Sequence, residues 1–133
     1  MDKHNQLVQH ICDTCPSTDY HLAKLIHMIY SDTYCITRDG NRDKWFKWNG
    51  THWETSVNIT HELKIKLSEE VSPLFSEART LLRNSLDKYV ESYGHNAMKQ
   101  LFKTENMLYN TKTKDRILKE CESLFFVNEL PSR

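Results

Sequence analysis

Between Thr33 and Glu54 the apolar residues stop recurring at helical steps and begin to alternate, and they become β-branched or aromatic: Tyr34 and Ile36, then Trp45 to Trp48, then His52 and Trp53. A period of two in such residues marks strands that bury one face. Asp39-Gly40-Asn41 breaks the first pair, and Asn49-Gly50 offers the two positive-φ positions of a tight type I′ turn. The expectation is a three-stranded antiparallel meander near residues 33–54. So small a sheet is only marginally stable by itself, so one of its faces must pack on helices.

Helical spacing on either side supplies them. Leu22, Leu25, Ile26 and Ile29 follow the starting cluster Ser17, Thr18, Asp19 and predict a helix to about Ser31. Asn58 or Thr60 can cap the next one, whose stripe of Ile59, Leu63, Leu67, Val71, Leu74, Phe75, Ala78, Leu81 and Leu82 is interrupted by Pro73. A proline there predicts a kink, or a new helix with Ser72 as its cap. Gly94 is expected to mark a stop. Met98, Leu101, Phe102, Glu105 and Leu108 outline a further helix, Asn110 to Lys114 a polar link, and Ile117, Leu118, Cys121, Leu124 and Phe125 the last helix. The fold class is therefore α+β, mainly α-helical. Residues 1–17, in which Leu7, Val8 and Ile11 allow one or two helical turns, read as a lead-in segment, and 18–130 as a single helical domain carrying the tryptophan-rich hairpin.

Few reactions are open to such a chain. Glycine occurs only at 40, 50 and 94, so no G-x-x-x-x-G-K-[ST] phosphate loop exists and nucleotide hydrolysis by this chain alone is not expected. His61-Glu62 opens like a zinc-protease motif, but Ile65 stands where the second histidine must be. Cys12 and Cys15, with His10 and one of His4, His21 or His27, could grip zinc. No second Cys-x-x-Cys completes the set, and ordinary thiols are the preferred reading, so neither a catalytic residue nor a metal ligand is assigned. The sequons at Asn49 and Asn58 read as chance. No apolar run approaches the ~20 residues of a membrane span and no signal peptide opens the chain, so the expectation is an intracellular protein without a membrane partner.

Binding is the better prospect. Eighteen basic residues balance eighteen acidic ones, so any nucleic-acid site must come from local clustering. The meander sets Arg38, Arg42, Lys44 and Lys47 against Asp39 and Asp43, interleaved with Trp45, Phe46, Trp48 and Trp53. Exposed aromatics there would stack bases while the cations neutralise phosphates. The plainer alternative makes the tryptophans a buried face and the charges a solvated one. Alternation puts Trp45 and Lys47 on one side and Phe46 and Trp48 on the other, so the two faces differ. A second cluster, Lys112, Lys114, Arg116 and Lys119 against Asp115 alone, lies at the start of the last helix, where unpaired N–H groups also favour phosphate. Its plainer reading is a solvated charge run.

The segments Tyr20 to Tyr30, Trp45-Phe46-Lys47-Trp48-Asn49-Gly50-Thr51-His52-Trp53 and Ile117 to Phe125, in that order, resemble the region just upstream of the superfamily 3 helicase core. The family is the poxvirus-type primase-helicases of large DNA viruses, with relatives among phage and plasmid primases, and the resemblance covers about residues 19–126. It implies a domain between a primase and a hexameric ATP-driven helicase, helping to form the ring's collar and to handle DNA near its entrance. Its partners would be single- or double-stranded DNA and neighbouring subunits of a homo-hexamer. ATP and Mg would belong only to the helicase core, with no cofactor in this chain, which would be an excised fragment of the whole enzyme or, alternatively, a natural stand-alone protein. The setting would be the host cell cytoplasm or a viral replication site. The alternative is a protein-interaction or assembly module without direct DNA contact.

Overall fold

The computed structural model describes residues 2–85 and 91–133. Helices α1 (Lys3–Thr14) and α2 (Asp19–Tyr30) lead into strands β1 (Tyr34–Asp39), β2 (Arg42–Trp48) and β3 (Trp53–Thr55). There follow α3 (Ile59–Lys66), a π-helical turn (Leu67–Val71), α4 (Ser72–Asn84), α5 (Glu91–Met107) and α6 (Thr111–Phe125). The protein is thus mainly helical with one small antiparallel sheet of order β1-β2-β3, as the periodicity predicts.

The first helix is longer than its three apolar residues suggest. Asp2 caps it by accepting from the Asn5 N–H at 2.8 Å, and it runs 12 residues before Cys15 turns into the left-handed region at φ 45. Leu7, Val8, Ile11 and Cys12 lie on one face, buried in the same core as the rest of the chain, where α1 packs on α4. Polar residues hid this helix, because its buried stripe spans only the two turns from Leu7 to Cys12. Thr18 caps α2 through the His21 N–H at 3.1 Å, and α2 packs along α6.

The meander forms with a different turn chemistry. β1 pairs with β2 up to Asp39↔Arg42, leaving Gly40-Asn41 as a two-residue turn with positive φ (69) at Gly40 alone, the pattern of a II′ turn. Asn49-Gly50 is not the expected type I′ turn. The β2–β3 pairing closes at Trp48↔Trp53, so the loop has four residues, Asn49 to His52, and only Gly50 takes a positive φ (104). The Asn49 side-chain oxygen accepts from both Thr51 N–H and His52 N–H at 2.9 Å, substituting for backbone turn bonds. Antiparallel register puts Tyr34, Ile36, Trp45 and Lys47 on the helix side and Cys35, Thr37, Lys44, Phe46, Trp48 and Trp53 on the other.

At Pro73 a new α-helix does begin with Ser72, but Ser72 is not its cap, and a π-helical turn stands immediately before it. Ser72 is buried in helical conformation, and its N–H donates to Leu67 O, five residues back. Widening the helix by one residue accommodates a proline that has no N–H to give and whose ring would otherwise strike the preceding turn. Ser72 Oγ is thereby free to donate to Glu105 O on α5 at 3.0 Å, and Glu70, in the widened turn, accepts from Tyr30 OH at 2.7 Å.

Gly94 is not a stop. The preceding helix ends at Asn84, and Gly94 lies buried within α5, in line with the buried Ala97, Leu101, Thr104 and Leu108. Steps of three and four keep the helix running, and α5 packs along α4. The polar link is also shorter than expected: Asn110 caps α6 by accepting from the Thr113 N–H at 3.0 Å, so residues 111–114 are its first turn.

Where α2, α6 and the sheet meet, the His27 ring stands edge-on to Phe125 at 4.8 Å, and burial holds its pKa below the usual 6.5. A base depressed in the folded state supports folding fully above the unfolded pKa and loses that support as pH falls through the folded one. Urea midpoints should therefore decline below pH 6.5, and the decline should be smaller in His27→Gln. Parallel midpoint-against-pH curves for the two proteins would remove His27 as a contributor.

Candidate nucleic-acid interface

The cations picked out by sequence are held in different ways. At the Gly40 turn, Arg38 faces Asp43 at 3.6 Å and Lys44 faces Asp39 at 3.1 Å, both pairs well exposed. Such pairs contribute little and exchange readily for another anion. Lys47 points to the helix side, where it pairs with Glu62 of α3. On α6, Lys114 donates to Ser68 Oγ at 2.9 Å and Arg116 pairs with Asp19 at 3.2 Å, tying the first turn to the π-turn and to α2. Among the described residues, no ion pair engages Arg42, Lys112 or Lys119.

Folding brings part of the two clusters together. Two shallow clefts, about 580 and 220 Å³, share Trp45 and Thr60 in their walls and so make one groove. Arg42 and Lys44 stand at one end, and Lys64 and Lys119 at the other. Trp45 has two roles: its indole packs 5.3 Å from Phe125 in the core and its half-exposed edge enters the groove. Lys64 pairs with Asp115 at 2.6 Å across the second cleft. Arg38, Lys47, Trp48, Lys112, Lys114 and Arg116 do not line the groove.

Thr60 and Lys64 were missed by sequence reading, although their four-residue spacing on α3 outside the apolar stripe was a usable signal. Trp48 sits on the opposite face from Trp45, its ring 5.5 Å from that of Trp53. Arg133 lies over both, 4.8 Å from the Trp48 ring centre. No local pattern announces that contact.

The cysteine motif is dispersed by packing. His10, Cys15 and His21 border a cleft of about 460 Å³ between α1 and α2. Cys12 Sγ donates to Ala78 O at 3.1 Å, whereas Cys15 Sγ donates to Ala97 O at 3.8 Å. The two thiols thus serve different helices, and among the described residues no three His, Cys, Asp or Glu side chains are placed to hold a metal. Burial pushes the Cys12 thiol up to about 11 and Cys121 up to about 12, so both stay protonated and poorly nucleophilic at neutral pH. No helix among the described residues is long and apolar enough to cross a membrane.

Fold and surface define a mainly helical α+β domain whose groove sets Arg42, Lys44, Lys64 and Lys119 among Asp43, Asp115 and Glu122 around one tryptophan. The chain belongs to the family described as D5 N terminal like, which matches residues 23–132: the N-terminal domain of D5-like primase-helicases of poxvirus and phage type. No curated protein matches it.

Proposed function

We propose that this domain is a non-catalytic, DNA-engaging part of a replicative primase-helicase, contributing to the collar of a hexameric ring. ATP and Mg would act in the helicase core, and neighbouring subunits of the homo-hexamer would be its protein partners. The observation that supports the DNA role is the groove in which Arg42 and Lys44 of the sheet and Lys119 of α6, more than seventy residues apart, flank Trp45. Cations lining a concave track neutralise successive phosphates and release counterions, which gives binding without sequence preference.

Fluorescence anisotropy with a labelled single-stranded oligonucleotide tests this. The triple variant Arg42→Glu, Lys44→Glu, Lys119→Glu should bind at least tenfold more weakly at low salt. Its log-affinity against log-salt slope should be shallower by about 2, at roughly 0.7 per lost phosphate contact. Equal affinity and slope for the two proteins would remove the DNA role and leave assembly as the function.

A further inference from the structure

We infer that the sheet face turned away from the helices is a stacking site for unpaired bases of single-stranded DNA, and that the chain's own residues 128–133 occupy it through Arg133. The inference rests on the DNA-engaging role proposed above and specifies a second, self-covered part of it.

Alternation along β2 places Arg42, Lys44, Phe46 and Trp48 on this face in a line, about 7 Å from one to the next at two residues of strand rise. Trp53 stands directly across from Trp48. Two cations followed by a run of aromatics is the arrangement that tracks a phosphate backbone while presenting flat rings to its bases. A duplex keeps its bases stacked on each other, so this face suits a single strand.

What lies on the face now shows its chemistry. After α6 the chain comes alongside β1, where Val127 N–H donates to Ile36 O at 2.8 Å. It then crosses the tryptophans. Trp53 Nε1–H donates to Pro131 O at 2.9 Å, and the Arg133 guanidinium, 4.8 Å over Trp48 and 5.8 Å from Trp53, donates to Asp32 O. A guanidinium is a planar, delocalised group that stacks on indoles much as a base does. Residues 128–133 are all exposed and are tied down by these few contacts. Segments with so little buried surface open locally at small cost, while Val127 can stay in place. Displacement of Arg133 bares both indoles on the same face as Lys44 and Arg42, with Phe46 between, and incoming phosphates replace Asp39 as the partner of Lys44.

The test uses the full 133-residue chain with fluorescein-labelled oligothymidine and a duplex of equal length. Arg133→Ala should raise single-strand affinity roughly fivefold and leave duplex affinity unchanged, whereas Trp48→Ala should lower single-strand affinity about tenfold, the weight of one base–aromatic stack. Tryptophan emission provides a readout that does not depend on the Trp48 variant folding: oligothymidine should quench it, at lower concentration in Arg133→Ala than in the parent. Binding that responds to Arg42, Lys44 and Lys119 but not to Arg133 or Trp48 overturns this inference and leaves the groove standing. Absence of any salt-sensitive binding overturns both.

Discussion

Phe125→Ala is expected to destabilise the domain by about 3–5 kcal/mol, the range for deleting a fully buried aromatic ring. The ring is 1% exposed and sits where three parts of the fold meet. It closes the last turn of α6, takes the edge of His27 from α2 at 4.8 Å and packs on Trp45 of β2 at 5.3 Å. Removing it leaves a cavity that rigid neighbours on three elements cannot collapse into, and it forfeits two aromatic contacts beyond the area lost. A domain of this size has a total stability of about 5–15 kcal/mol, so the variant should unfold at much lower urea with an unchanged slope. Phe125→Leu, which refills most of the volume, should recover more than half of the loss. An alanine variant within about 1 kcal/mol of the parent would show that the helix–sheet junction is not a shared core.

Glu105→Ala should cost about 2–3 kcal/mol, for a different reason. The carboxylate accepts two N–H bonds from Arg79, at 2.7 and 3.2 Å, and joins α5 to α4. The two side chains retain only 17% and 22% exposure, so water can compensate only partly when one partner is removed. Arg79 also lies 4.8 Å over the Phe102 ring, which fixes its plane. Losing the acceptor leaves a confined guanidinium without its counter-charge, the costly way to break such a pair. Glu105→Gln keeps an acceptor and the shape while removing the charge, and should lose roughly half as much. Thermal unfolding of the two variants reads the difference; an alanine variant equal in stability to the parent would make the pair incidental.

Most of this fold could be read from spacing. Leu22 to Ile29, Ile59 to Leu82 and Ile117 to Phe125 carry wide apolar stripes, and the change to alternation at Tyr34 is abrupt. What spacing missed was decided by competition between local options. Asn49-Gly50 fits a type I′ turn, but the Asn49 side chain closes a longer loop instead, and the two-residue turn falls at Gly40-Asn41. A π-turn has no periodicity of its own, so Leu67–Val71 could not be told from ordinary helix before Pro73. Gly94 carried the composition of a helix end and the burial of a helix interior, and packing decided between them.

The candidate site was legible as a set of residues but not as a shape. Arg42, Lys44 and Lys119 stand out as charge clusters in the sequence. Their common groove depends on how α3 seats β2 against α6, and contacts between residues 60 and 119 leave no trace in local pattern. The covering of Trp48 by Arg133 is more remote still, since one arginine among eighteen basic residues carries no signal of where it will lie.

The parallel bridge from Phe126 to Ile36 has a consequence for how the protein behaves in a crowded solution. β1 is an outer strand of the sheet, and its free rim would otherwise offer unsatisfied amides as a template for a stranger's backbone. Val127 occupies that rim, and on the far side β3 is only three residues long, too short to seed further accretion. Both rims of the sheet therefore leave a second chain little backbone to pair with.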